Sequence, residues 1–135
     1  MKTYHLDRDI HVFCKTATSF PDGVKEAHES LHRLVSFSAK RKYFGLSWMN
    51  KEGDIVYKAA AEELTPGELS KHQLESFTIR SGDYIYTDVK NFMQNIPAIG
   101  QAFDQLKSDK RIDPEGVALE WYLNETDVRC MIRLK

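Results

Sequence analysis

The sequence predicts an α+β domain built from a duplicated strand-helix-strand-strand unit, with an antiparallel sheet and two helices in pseudo-symmetric halves. Three observations carry this. The predicted elements run strand, helix, hairpin, and then strand, helix, hairpin again. The sequence itself repeats: "LSWMNKEGDI" (46–55) aligns, with one gap either side of the turn, with "LEWYLNETDV" (119–128), matching Leu46 with Leu119, Trp48 with Trp121, Asn50 with Asn124 and Asp54 with Asp127. Bulk composition is that of one globular unit: 135 residues, 41% hydrophobic and 29% charged, read as a single domain over residues 1–135.

Each element has a local reason. "IHVFCKTA" (10–17) alternates as a strand, and "FPDGV" turns the chain into a helix from about Gly23 to Ser38, with Asp22 as the expected cap. "KYFGLSWMN" and "DIVYKAAAEE" read as a hairpin joined by "KEG". "LTPGELSKH" reads as a polar loop or a single helical turn. "SFTIRSGDYIYTDV" reads as one long strand broken at Gly82. A second helix enters at Ile96-Pro97 and carries Ile99, Phe103 and Leu106 on one side. "VALEWYLN" and "DVRCMIRLK" close the chain as a hairpin.

Composition excludes several function classes. The net charge is -1 with both signs interleaved, so no basic face exists to follow a phosphate backbone, and no direct nucleic-acid binding is expected. No apolar run reaches membrane-spanning length and no secretory signal is present, so a cytoplasmic protein without a membrane partner is expected. Cys14 and Cys130 read as free thiols in a reducing compartment.

"AHESLH" spells H-E-x-x-H at His28, Glu29 and His32, the spacing that places two zinc-binding imidazoles on one helical face. An amphipathic helix explains it without a metal. Val24, Ala27, Leu31, Leu34 and Val35 form the apolar stripe, with the two histidines on its flank. No third ligand follows at the expected spacing. The expectation is therefore no metal, no cofactor and no part for His28 or His32 in ligand binding.

Chemistry is sought in the last hairpin. Leu119, Trp121 and Leu123 share one strand face, expected to pack on the helices. Ala118, Glu120 and Tyr122 share the other, expected to be solvent or a groove. The matching first-unit face carries Gly45, Ser47 and Met49, joined by Ile55, Tyr57 and Ala59 if residue 47 pairs with 57. Two such faces about a pseudo-dyad form a cleft of aromatic rings with one acid. Tyr84, Tyr86 and Phe13 are further wall candidates; Trp48 and Trp121 read most simply as symmetric core tryptophans, with room for Trp48 to edge into the cleft. Such a site suits a flat, apolar or cationic molecule, because ring faces attract positive charge and a partly buried carboxylate supplies the counter-charge. The register of the last strand stays open. One turn puts Arg129 and Met131 beside Glu120; the other puts Val128, Cys130 and Ile132 there.

The stretches "YFGLSWMNKEGDIVYKAAAE", "FTIRSGDYIYTDV" with "IPAIGQAF", and "GVALEWYLN" resemble the gyrase-inhibitor-like small-molecule-binding domain, also found as the effector-binding half of AraC- and MerR-type transcription regulators. The resemblance spans roughly residues 20–135 and implies two strand-helix-strand-strand units around a ligand groove. It implies that Glu120 falls on the family's pocket glutamate and that Tyr57 and Tyr122 fall near pocket aromatics. No helix-turn-helix segment precedes the domain, so this chain is not expected to bind DNA itself. The expected ligand-binding set is Glu120, Tyr122, Tyr57, Trp48, Tyr86, Ser47 and Met49, with no catalytic residue unless Glu120 serves a hydrolase. The resemblance extends to stand-alone relatives that hydrolyse cyclopropane-bearing toxins. Three functions follow: a stand-alone binder of planar, hydrophobic or cationic small molecules; a hydrolase of cyclopropane-bearing toxins with Glu120 as general base; and a haem protein using His5, His11, His28, His32 or His72. The partner expected is a small-molecule ligand, with homodimerisation left open.

Overall fold

The structure, a computed structural model, describes residues 2–72 and 74–135. Eight strands form one antiparallel, curled sheet: β1 (Lys2–Leu6), β2 (Ile10–Thr16), β3 (Tyr43–Met49), β4 (Ile55–Glu62), β5 (Glu75–Ile79), β6 (Gly82–Val89), β7 (Ala118–Tyr122) and β8 (Val128–Arg133). Helix α1 (Val24–Leu34) lies between β2 and β3, and α2 (Pro97–Lys107) between β6 and β7. The strand order is β1-β6-β8-β7-β3-β4-β2-β5. Units β2-α1-β3-β4 and β6-α2-β7-β8 therefore meet at the β3–β7 pair, as the repeat predicts.

The sequence repeat and the strand register agree on where the pseudo-dyad falls. Leu46 stands opposite Leu119, with Gly45 opposite Glu120 and Ser47 opposite Ala118. In an antiparallel pair related by a two-fold axis, equivalent residues face each other only at the axis. The dyad thus passes through Leu46 and Leu119, the pair that heads the sequence alignment. The hairpin turns close alike, Asn50 N–H on the Asp54 carbonyl (2.8 Å) and Leu123 N–H on that of Asp127 (3.0 Å), while their asparagines stand one position apart in the repeat. Asn50 Oδ1 accepts the N–H groups of Glu52 and Asp54 (3.1 and 2.9 Å). Asn124 Oδ1 accepts those of Thr126 and Asp127 (2.8 and 2.9 Å). Each asparagine makes an Asx turn that fixes its own hairpin.

Three expectations change. "SFTIRSGDYIYTDV" is two strands, not one. Gly82, at φ +131°, starts β6, while β5 pairs with β2 at the far edge. The amino-terminal β1, which the sequence reading left without structure, pairs with β6 at the opposite edge. Each half thus receives on its outer edge the strand that leads into the other half. The third change concerns the helix start: Gly23, not Asp22, is the N-cap, and no side chain caps it.

Core residues divide by sheet face. Ala27, Leu31 and Val35 of α1 and its end pack on Phe13, Ala59 and Ala61 of the sheet; Phe103 and Leu106 of α2 pack on Ile85, Val128, Cys130 and Ile132. Ala59 and Ala61 are fully buried, and their small side chains let α1 approach β4 closely, while Ala60 faces the curl. The inside of the curl holds Val12, Cys14, Phe44, Leu46, Leu119 and Met131, with Trp48, Tyr86 and Trp121 packed against them. The expected facing of β7 is therefore reversed: the helices cover the Ala118–Glu120–Tyr122 side, and Leu119 and Trp121 point into the curl. Antiparallel β7 is covered on both faces, so alternation alone gave no sign of which side the helices take.

Because Leu46 and Leu119 share one buried space at the axis, we expect Leu46→Ala and Leu119→Ala each to cost about 2–5 kcal/mol. The double variant should cost less than the sum, since one cavity serves both truncations. Urea denaturation of the four proteins checks this.

Candidate functional site

The seam between the halves holds a hydrogen-bonded cluster on the helix side of the sheet. Glu120 of β7 lies opposite Gly45 of β3, and Tyr57 of β4 pairs with Ser47, two residues further along β3. Gly45 has no side chain, so Tyr57 and Glu120 meet directly above it. A Cβ there would stand 2.1 Å from the Tyr57 hydroxyl and 2.6 Å from Glu120 Oε1. Tyr57 OH donates to Glu120 Oε1 at 2.9 Å, and Tyr122 OH donates to the same oxygen at 2.5 Å. The two phenol oxygens are 3.1 Å apart.

His28 completes the cluster from α1. Its Nε2 is 2.8 Å from the Tyr57 hydroxyl and 3.5 Å from that of Tyr122. With both phenol protons directed at Glu120, the imidazole must donate, which fixes the Nε2–H tautomer. The result is a directed chain, His28 to Tyr57 to Glu120, with Tyr122 donating from the other side. Aromatic neighbours bracket it. Phe20 lies 6.0 Å from the Tyr57 ring, and Phe92, just before α2, lies 5.6 Å from the Tyr122 ring.

Glu120 Oε2 is different from Oε1. Among the described residues it has no hydrogen-bond partner, and it is not sealed from solvent. None of the ion pairs among those residues involves Glu120. The carboxylate is thus half-buried, ring-walled and without a cationic partner. Burial pushes its pKa above the ordinary carboxyl value, and the two phenol hydrogen bonds partly offset that. Burial and the neighbouring carboxylate raise both phenols, so Tyr57 and Tyr122 stay protonated. Burial, with a smaller contribution from His32, lowers His28 to about 4. At neutral pH the cluster carries at most the charge of Glu120.

The structure brings Glu120, Tyr122, Tyr57 and Ser47 together on one face. Met49 lies on the same face further along β3, 68% exposed at its rim. Trp48 and Tyr86 are not with them. Both point into the curl on the opposite side, Trp48 stacked on Phe77 (6.3 Å) and Tyr86 under the Arg129 guanidinium (4.3 Å). Tyr84 also lies in the curl, and Phe13 lies under α1. The last-strand register is settled: Glu120 pairs with Cys130, so Val128, Cys130 and Ile132 share its face and Arg129 does not. His28, expected to take no part in ligand binding, hydrogen-bonds Tyr57 within the cluster. A wheel places it on the flank of the stripe, and that flank faces the seam. His32 instead packs on Tyr43 (5.0 Å), and Glu29 is exposed. His5 is held by Asp83 (2.7 Å) and His11 lies against Phe13 (5.3 Å). Among the described residues no three His, Cys, Asp or Glu side chains gather to hold a metal. Burial pushes both thiols, Cys14 and Cys130, up to about 12, so neither is a ready nucleophile.

Fold and site together define a duplicated α+β domain with a lone acid between aromatic rings at its pseudo-dyad. No family model and no curated protein matches the chain. Solved structures do match in fold over nearly the whole length. An integron cassette protein from the mobile metagenome of Vibrio cholerae is 14% identical, with a TM-score of 0.67, covering 99% of this chain and 95% of that one. A structure of SAV2435 bound to tetraphenylphosphonium is 11% identical, with a TM-score of 0.59, covering 98% and 93%. A hydrolase from Listeria innocua is 9% identical, with a TM-score of 0.59, covering 99% and 90%. At these identities the likeness is one of fold.

Two outcomes are expected of the cluster. Gly45→Ala should break the Tyr57–Glu120 contact and cost about 1–3 kcal/mol by overpacking, read by denaturation and by loss of the buried phenol signals. The second concerns pH. His28 titrates near 4 in the fold against 6.5 when unfolded, so between those values the unfolded chain binds the extra proton. Stability from the neutral imidazole is therefore present above about pH 6.5 and lost as pH falls toward 4, by about 3 kcal/mol. The margin of the wild type over His28→Gln should shrink accordingly in urea titrations; a flat margin would contradict a buried neutral imidazole.

Proposed function

We propose that this chain binds planar, hydrophobic or cationic small molecules at the seam, with Glu120 as the polar anchor. The observation that carries the reading is Glu120 Oε2: a carboxylate oxygen among aromatic rings that, among the described residues, has neither a hydrogen-bond donor nor an ion-pair partner. A lone half-buried charge is costly, and an incoming cation relieves that cost while the rings of Phe20, Tyr57, Tyr122 and Phe92 take up its apolar body. Met49 and Ile55, both exposed and paired across the first hairpin on this face, extend the apolar rim. Ser47 adds a hydroxyl beside Tyr57. The fold likeness to a tetraphenylphosphonium-bound protein supports the same reading.

A hydrolase on the same scaffold is the second reading. The free Oε2 and the raised pKa of Glu120 suit a general base that takes a proton from water, with the Tyr57 and Tyr122 phenols holding Oε1 fixed. The fold likeness to a protein described as a hydrolase supports it.

One experiment separates these. Tetraphenylphosphonium is titrated into wild type and Glu120→Gln, followed by intrinsic fluorescence. The wild type should bind, more tightly as pH rises through the Glu120 titration, and the variant should bind about tenfold more weakly or worse. Equal affinity would remove Glu120 from the site. A cyclopropane-bearing electrophile incubated with both proteins reads the alternative: turnover by wild type that vanishes in the variant makes the chain a hydrolase.

A further inference from the structure

The opposite side of the sheet carries a recess that the seam does not explain. A cleft of about 330 Å³ opens where the β5–β6 turn, the end of β8 and the segment leading into β7 converge. Its apolar floor includes Tyr84 and Leu119, both buried in the curl. Its charged groups come in two sets. Arg80 and Arg133 stand on the turn and the β8 end; Asp113 and Glu115 stand on the segment before β7.

The basic side is ordered. Arg133 donates through Nε and Nη2 to the carbonyl of Ser81 (3.1 and 3.0 Å), leaving Nη1 without a partner among the described residues. Gly82 makes room for it: a Cβ there would lie 3.0 Å from Nη2. Tyr84 OH donates to the Arg80 carbonyl (2.6 Å), which pins the turn to the cleft floor. Asp9 accepts the Ser81 N–H (2.7 Å) behind this wall and feels both guanidinium groups, yet pairs directly with neither. On the acidic side, Asp113 Oδ1 accepts the Glu115 N–H (2.9 Å), which shapes the loop and leaves Oδ2 and the Glu115 carboxylate unbonded among the described residues. No ion pair within 4.0 Å joins the two sets among those residues.

Two guanidinium groups and two carboxylates that share a cleft without pairing leave room for a molecule that pairs with both. We propose that this cleft is a second ligand site, for a small zwitterion with an apolar body of about dipeptide size. Its carboxylate engages Arg80 and Arg133, its ammonium engages Asp113 and Glu115, and its side chains lie on Tyr84 and Leu119. The volume falls at the lower end of small-molecule pockets, and apolar walls with a few convergent polar groups are their usual make-up. A bidentate guanidinium–carboxylate contact supplies the orientation.

The test uses leucyl-phenylalanine, its N-acetyl form and its C-terminal amide, titrated by calorimetry and by amide chemical shifts. The free dipeptide should bind about tenfold more tightly than either capped form, since each cap removes one charged contact. Shifts should centre on Tyr84 and Leu119 and spare Gly45 and Tyr57. In Arg80→Gln the preference for a free carboxylate should fall while that for a free amine stays; Glu115→Gln should do the reverse. Both residues are exposed, so neither variant threatens the fold. Equal affinity for the three forms, binding by none, or shifts centred on the seam would each overturn the assignment.

Discussion

The pairing of β3 with β7 is the constraint on which the rest of the molecule depends. It joins the two halves through the sheet itself, with Leu46 and Leu119 face to face at the axis. Once that register is set, everything beside it follows. Glu120 must lie over Gly45, its symmetry mate Ser47 must lie beside Tyr57, and the two helices must flank the strip between them. The site is therefore a consequence of how the halves meet, and it exists in neither half alone. Symmetry also explains why the site holds one acid. The mate of Glu120 is Ser47 and the mate of Tyr122 is Met49, so one half supplies the charge and the other supplies space.

Electrostatics then sets what the seam is suited to hold. A carboxylate walled by rings loses solvation, and phenols or an imidazole can return only part of it. All three protein donors in the cluster are neutral at physiological pH, since burial holds His28 to about 4 and raises both phenols. Hydrogen bonds gather on Oε1, which orients the group and leaves Oε2 without a donor among the described residues. An arginine that could neutralise this acid stands on the neighbouring strand β8, Arg129. That arginine is held elsewhere.

Much of this was legible in the sequence, for physical reasons that differ by element. The duplication was readable because the two central hairpins need the same turn chemistry, Asn at the Asx position, and the same axial leucine. The face grouping of Tyr57, Glu120 and Tyr122 was readable because side chains alternate strictly along a strand. Trp48 and Tyr86 were misplaced because an aromatic ring suits either face of a doubly covered sheet. Gly82 was read as a kink because sequence does not say that consecutive strands belong to opposite edges. His28 was missed because a helical wheel reports the angle around the axis and not what stands across from it. Its signal was present only as position: one step from buried Ala27, on the side where α1 faces the seam.

The turn between β7 and β8 decides the chemistry of the whole face. A shift of one residue there would flip every side chain of β8, setting Arg129 beside Glu120 and sending Cys130 into the curl. The seam would then contain a neutralised ion pair and no free acid. Asn124 prevents this by accepting the backbone N–H groups of both Thr126 and Asp127, which fixes the loop length and hence the pairing of Glu120 with Cys130. On the far face Arg129 has its own partners: Asp88, through Nε and Nη2 at 2.8 and 3.1 Å, and the rings of Tyr4, Tyr86 and Trp121. Those contacts stabilise the same register from the other side, because a guanidinium moved across the sheet would lose all of them. The unneutralised charge of Glu120 is thus maintained by two devices that never touch it: a side-chain-capped turn and a cation stacked among rings on the opposite surface.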